Sequence, residues 1–307
     1  MNDTPYKYRA FDLSISSELP LVGFFKDSTA ADSNEADINV RYGSILEPTG
    51  QSYSLRTWVT GYEDGFICKV PGGGAFQFSR SGAVHVDLSS SSEIPKVSDY
   101  LAGYGLPSFL HYTDAVPMHM SVVQTPKGCW AFAGESGAGK STTAALVSSI
   151  AGWDLLCDDI CAMRICGDRI KLSFGFNRFK VWRDSAALLG LDTGTLEADP
   201  ARPDKFMVRL SSSVVGPVKP LLGIIFLEWG VDRSLVSSFE VRRLTNAHGF
   251  MRTMNSVHSS YFCMILDRQA DCMRVSKLVV ETSNLLVVQR SIGMAAVEKI
   301  IKIIEHS

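Results

Sequence analysis

The sequence predicts an α/β (α+β) fold with a β-rich N-terminal module, and three observations carry that expectation. Between Asp37 and Leu88, short alternating runs are separated by turn residues. The apolar run Cys129–Ala133 feeds a glycine-rich turn and then a helical stretch reaching Ile150. Two later apolar runs, 222–228 and 285–288, read as buried strands.

In the first part, residues 38–40, 53–59, 66–70, 75–78 and 83–87 have strand character, and the clusters Glu63-Asp64-Gly65 and Pro71-Gly72-Gly73-Gly74 supply turns. A serine run, 89–92, and Pro95 open a helical candidate over 97–110. The boundary is drawn there: residues 1–95 form the β-rich module and residues 96–307 a second domain. In that domain residues 155–165 read as extended. At the C-terminus Val297, Ile300, Ile301 and Ile304 recur at helical spacing among charged residues, the signature of an amphipathic helix that closes a core.

With 307 residues, 46% hydrophobic and 20% charged, the chain can bury a proper core. A net charge of -2 offers no global positive field to nucleic acid or an anionic membrane, so neither is expected as a partner. The opening five residues lack a basic stretch followed by an apolar core, and the run 221–227 is too short to span a bilayer; a cytoplasmic location is expected. Seven cysteines show no CxxC spacing and read as buried, reduced small hydrophobes.

The most informative segment is Gly134-Glu135-Ser136-Gly137-Ala138-Gly139-Lys140-Ser141, which satisfies G-x-x-x-x-G-K-[ST] between a strand and a helix. Backbone N–H groups must turn inward around a phosphate, and glycines permit the conformations this requires. The helix beginning near Lys140 adds its positive end, extending the nucleotide site to Thr142. Lys140 is expected to bridge the β and γ phosphates of ATP or GTP, and Ser141 to hold Mg²⁺.

Phosphoryl transfer also needs an acid beside the phosphates, and Asp158-Asp159, after Leu155-Leu156-Cys157, supplies two. Strand neighbours point to opposite faces, so both reach one site only if the strand ends or bulges there. The alternative is a solvated turn.

The order of His119, the glycine-rich loop, a helix and then Asp158-Asp159 resembles the HPr kinase/phosphorylase family over residues 117–165. The resemblance implies a P-loop kinase fold of the phosphoenolpyruvate carboxykinase type and transfer of phosphate to a serine hydroxyl. It implies Asp158 as general base, Asp159 and Ser141 at the metal, Lys140 on phosphate and His119 beside the reacting groups; the two aspartates are interchangeable at this level. The family's Glu-Arg-Gly-Leu-Gly type signature is absent, so phosphate removal is not expected. The segments Tyr8-Arg9-Ala10-Phe11, Ser17-Glu18-Leu19-Pro20-Leu21, Phe176-Asn177-Arg178-Phe179-Lys180-Val181-Trp182, Leu188-Leu189-Gly190 and Lys205 look like the HPr kinase-related proteins of bacterial peptide-modification gene sets. Some of those phosphorylate the C-terminal serine of lasso peptide precursors.

Of the secondary candidates, Arg178, Lys180, Arg202, Lys205 and Arg209 could hold a phosphate or a peptide carboxylate, with Arg178, Lys180 and Lys205 preferred, or form a solvated face. His119 could also be a strand histidine satisfied by a neighbour. Trp182 and Trp229 read as core aromatics. Thr245-Asn246 is a helix-capping signal near His248. Two functions compete: a kinase acting on a serine of a peptide or small protein, and a non-catalytic nucleotide-binding sensor or assembly module. A motor or transport ATPase fits least, because no LSGGQ-like segment is present. The N-terminal module is left either to recognise the acceptor or to form a contact in a homo-oligomer.

Overall fold

Residues 5–27, 36–46, 51–176, 178–199, 202–210, 218–229, 239–290 and 293–307 are described in the computed structural model of the chain. Two units divide it, one of Met1–Ala115, Ser173–Phe176 and Ser259–Gln269, the other of Val116–Leu172, Asn177–His258 and Ala270–Ser307. Asn177 of the sequence pattern lies outside the described residues.

The first unit is built on β1 (Tyr6–Ala10), β2 (Leu13–Ser17), β3 (Phe25–Lys26), β4 (Ile38–Tyr42), β5 (Tyr53–Arg56), β6 (Val59–Tyr62), β7 (Gly65–Lys69), β8 (Ala75–Ser79) and β9 (Ala83–Asp87). Among the described residues they form one sheet in the order β3-β1-β2-β4-β9-β8-β7-β6-β5. The stretch read as one strand over 53–59 is instead a hairpin of β5 and β6. The β1–β2 hairpin turns on Phe11 and Asp12, both at positive φ (53° and 67°), which matches the strand twist. Phe11 is fully buried and meets the Phe176 ring at 5.5 Å, so packing offsets its backbone strain. Gly175 leaves room for this contact, since a Cβ there would lie 2.5 Å from the Phe11 ring.

A continuous helical run from Ser91 to Tyr112 covers the same sheet. Phe109 packs on Phe78 at 5.5 Å, and a Cβ on Gly105 would lie 2.9 Å from the rings of both Phe76 and Phe78. The helices beyond residue 95 bury their apolar face on the phenylalanines of the sheet, so the first unit extends to Ala115.

The second unit contains β10 (Val116–His119), β11 (Ser121–Gln124), β12 (Cys129–Ala133), β13 (Asp154–Cys157), β14 (Ile160–Cys166), β15 (Arg169–Phe174), β16 (Arg178–Trp182), β17 (Glu197–Asp199), β18 (Arg202–Arg209), β19 (Leu221–Trp229), β20 (Phe239–Arg243) and β21 (Asn284–Arg290). The central sheet runs β13-β11-β12-β19-β21-β20, with β12–β19 and β19–β21 parallel and the other pairs antiparallel. Two three-stranded sheets, β10-β14-β15 and β16-β18-β17, accompany it.

Three helices matter for the site: α1 (Lys140–Ala151), α2 (Asn246–Asn255) and α3 (Met294–Glu305). Side chains from α1 and α3 join Trp130, Phe132, Ile225, Leu227 and Val288 in one core. The predicted apolar stripe of α3, including Val297, Ile300 and Ile304, is fully used there, each isoleucine contributing about 2 kcal/mol. Six of the cysteines are buried and Cys166 is exposed, all of them free thiols. Among the described residues no helix is long and apolar enough to cross a membrane.

Candidate functional site

The site grows from a ribbon that splits. Residues 116–124 and 154–166 run antiparallel to each other, but not in one sheet: β10 pairs with β14 in a small sheet, whereas β11 pairs with β13 in the central one. The stretch read as continuous over 155–165 therefore breaks at Asp158-Asp159, opposite a break at Met120. Register does the rest. His119 pairs with Ile160, which sets it beside Asp159, and Val122 pairs with Cys157, which sets Ser121 beside Asp158.

The break is a tight turn. Asp159 has φ 71°, and the Ile160 N–H donates to the Asp158 carbonyl at 2.9 Å. A side chain held in this region costs about 1 kcal/mol or more, the kind of local strain that collects at functional sites. Its effect here is to send two neighbouring carboxylates to different partners. Asp158 is buried; its Oδ1 accepts from Ser121 Oγ at 2.9 Å, its Oδ2 from the Lys180 N–H at 3.1 Å, and the Ser141 hydroxyl bonds it as well. Asp159 has a half-exposed side chain and sits 3.3 Å from His119 Nε2.

Electrostatics separate the pair. Burial, reinforced by the charge of Asp159, pushes the Asp158 carboxyl above its usual range despite the hydrogen bonds from Ser141, Lys180 and Ser121. Desolvation would also raise Asp159, but the His119 contact, followed by the charges of Lys205 and Lys180, outweighs it and holds that carboxyl well below the usual range. Neighbouring acids whose affinities for a proton are driven apart are suited to different tasks.

The glycine-rich loop joins β12 to α1. Gly134, Gly137 and Gly139 all have positive φ (137°, 83° and 84°), the backbone that the motif demands of glycine. Residues 135–137 are exposed at the tip, while Ala138 is buried. The Lys140 ammonium is buried and donates to the carbonyls of Gly134 at 3.0 Å and Glu135 at 3.1 Å. Burial lowers its proton affinity, opposed by Asp159 and Asp158. Thr142 directs its hydroxyl to Ser185 Oγ at 2.8 Å.

Of the basic candidates, Lys180 pairs with buried Asp199 at 2.8 Å, and buried Lys205 lies 5.7 Å from the Trp182 ring centroid while acting electrostatically on Asp159 and Lys140. Arg178 is buried on β16 opposite β18 and donates to Met207 Sδ at 3.2 Å. Arg202 and Arg209 are exposed. The tryptophans also differ from expectation. Trp182 is 48% exposed, and half-buried Trp229 donates from Nε1 to the Gly137 carbonyl at 3.1 Å, bracing the loop instead of filling the core. Thr245 caps α2 as expected, accepting from the His248 N–H.

Three site residues escape a reading of the sequence. Glu228 is the lone charge of the apolar strand β19 and lies at its C-terminal edge, a signal that could have been used. Arg252 of α2 pairs with it. Arg290, at the end of β21, is buried; its Nη2 donates to Thr143 Oγ1 at 2.7 Å and its guanidinium lies 5.2 Å from the Trp229 ring. Burial lowers the Arg290 pKa to about 10, which leaves it charged at neutral pH. A cavity of about 940 Å³ opens in front of the loop, lined in part by His119, Ser136, Glu228, Trp229, Arg252 and Asn255.

No protein-family model matches the chain, and no curated protein matches it. Among solved structures the chain is similar to the Hpr(Ser) kinase/phosphatase from Coxiella burnetii, with 10% sequence identity, 62% of this chain and 94% of that chain covered, and a TM-score of 0.27.

Proposed function

We propose that the protein is a phosphotransferase that moves the γ-phosphoryl group of ATP or GTP to a serine hydroxyl of a peptide or small protein. The observation that carries this reading is the pairing of Asp158 with Ser141 and of Asp159 with His119, on either side of one turn next to a lysine-bearing phosphate loop. A sensor needs the loop but has no use for two carboxylates of opposite proton affinity.

The pairings favour exchanging the roles first given to the aspartates. Asp158, bonded to the Ser141 hydroxyl, and Ser141 itself offer the hard oxygens that suit magnesium, which takes one or two carboxylates and fills its shell with phosphate and water. Magnesium held there would supply charge neutralisation to the phosphates. Asp159, half exposed and in contact with His119, is assigned the hydroxyl proton on geometry, since Asp158 is buried against Ser141.

In the transfer the serine Oγ–phosphorus bond forms while the bond from the γ-phosphorus to its bridging oxygen breaks. The hydroxyl proton passes to the Asp159–His119 couple, and the nucleoside diphosphate leaves. Lys140 and backbone N–H groups of the loop would carry the charge of the β and γ phosphates. By the sequence resemblance, the C-terminal serine of a lasso peptide precursor is one candidate acceptor.

Incubation with γ-labelled ATP, magnesium and a panel of serine peptides tests the reading. Label should appear on serine with the wild type and be lost with Asp159→Asn. Tight ATP binding without transfer to any acceptor would instead favour the nucleotide sensor.

A further inference from the structure

Arg252 and Glu228 have no part in the chemistry described so far, although both line the cavity in front of the phosphate loop. β19 and β12 are parallel neighbours with Phe226 opposite Ala133, the residue before the loop. Glu228, two residues beyond Phe226, therefore stands at the same sheet edge as Gly134 and Glu135. The far end of α2 is tied to that edge too, because the Ser256 carbonyl accepts from the His119 N–H at 2.7 Å. Arg252 projects from α2 onto Glu228 Oε1, with its guanidinium 5.8 Å from the Phe226 ring.

The pair is an unlikely strut. Its side chains are 36% and 30% exposed, and an ion pair so open to water contributes at most about 1 kcal/mol to stability. Among the described residues the guanidinium hydrogen-bonds to Glu228 through one nitrogen, whereas it carries five donors in a rigid fork. A planar fork with donors to spare, facing a phosphate loop, fits a phosphoryl group.

Lys140 identifies which phosphate. In loops of this pattern the lysine reaches the β and γ phosphates, and here its ammonium lies against the carbonyls of Gly134 and Glu135. The terminal phosphate therefore belongs at the Gly134 end of the loop, the end next to Glu228. The opposite end, at Gly137 and Ala138, is occupied by Trp229 and Arg290.

We propose that Arg252 binds the γ-phosphoryl group of the bound nucleoside triphosphate, with Glu228 as the positioning residue that aims its guanidinium. The inference rests on the nucleotide-binding part of the function proposed above and adds to it a residue that tells a triphosphate from a diphosphate. Stabilising the charge of the transferring group in this way speeds related reactions by about 10³-fold or more where it has been dissected.

Titration calorimetry with Mg·ADP and Mg·AMP-PNP, on the wild type and on Arg252→Ala, Arg252→Gln, Arg252→Lys and Glu228→Gln, provides the test. Arg252→Ala and Arg252→Gln should weaken AMP-PNP about tenfold or more, the loss of one charged hydrogen-bonding partner, and leave ADP within about twofold. Arg252→Lys should recover part of the difference, and Glu228→Gln should weaken AMP-PNP by a few fold only. Arg252→Gln keeps the side-chain length, so it serves if the alanine variant does not fold. Equal affinity losses for both nucleotides, or none, would overturn the assignment while leaving the proposed function standing. A wild type that binds neither nucleotide would overturn both.

Discussion

Nε2 of His119 lies 3.3 Å from Oδ1 of Asp159, a contact made possible by the positive φ of Asp159 and by the pairing of His119 with Ile160. The histidine helps to hold the Asp159 carboxyl below the usual 3.8, against desolvation, together with Lys205 and Lys180. Asp159 thus contributes stability above the unfolded value of 3.8, and that contribution is lost as pH falls through the lower folded value. His119→Ala removes part of it, so acid unfolding should begin at higher pH than in the wild type. The same substitution should slow phosphoryl transfer about a hundredfold while nucleotide affinity stays within about twofold. Acid titration followed by circular dichroism, and steady-state kinetics, measure the two effects.

Asp158 has the opposite sign. Its folded pKa is raised, so keeping it ionised costs stability once pH exceeds the unfolded value, and the cost grows until pH passes the folded one. Asp158→Asn removes this cost: an amide oxygen can still accept from the Lys180 N–H, and its NH₂ can donate to Ser121 Oγ, which lies 2.9 Å from Oδ1. We expect a higher Tm at pH 7 than for the wild type, together with loss of magnesium-dependent transfer. A lower Tm would argue against an ionised, strained carboxylate.

Gly139 and Gly152 flank α1 and share left-handed φ values, 84° and 67°. Their surroundings differ. A Cβ on Gly152 meets nothing within 4 Å, whereas one on Gly139 would lie 2.7 Å from Arg290 Nη2, which Thr143 holds. Alanine at either position incurs the backbone strain of about 1–2 kcal/mol. Only Gly139→Ala should add about 1 kcal/mol for the displaced Arg290 hydrogen bond and weaken nucleotide binding. Urea unfolding of both variants gives the difference directly.

The Lys180–Asp199 pair, 2.8 Å long with the carboxylate almost fully buried, reaches the site through the Lys180 N–H on Asp158. Asp199→Ala leaves a largely desolvated ammonium and should cost about 3 kcal/mol, with transfer reduced through Asp158. A surface pair would show a change of less than about 1 kcal/mol in the same denaturant titration.

What the sequence makes legible in this molecule is what is local. The phosphate loop can be read because its glycines answer a backbone requirement within eight residues, and the stripe of α3 can be read because the helical period writes it out. The aspartates are visible as a pair, but their partners are not, since His119 and Ser121 are matched to them by a register spanning some forty residues. The resemblance leaves the two aspartates interchangeable, and only these partners underlie the roles proposed for them above. Trp229 shows a different limit: composition assigns an indole to a core, yet its position at the last residue of β19 leaves it at the loop. Arg178 and Lys180 share a face of one strand, yet Arg178 donates to Met207 Sδ and Lys180 pairs with Asp199, partners set by β18 and the neighbouring β17, which the sequence pattern does not show. Serine and proline near residue 95 mark the end of a strand region, but they do not tell whether the helix that follows packs back on it, as the helices up to Tyr112 do.

The guanidinium of Arg290 underlies a loop whose own motif was completed about 150 residues earlier in the chain. During synthesis, therefore, a nascent chain that has emerged as far as α1 displays every residue of the phosphate signature without the cation beneath it. Under the function proposed above, the loop gains its Arg290 support only once β21 has docked in the central sheet.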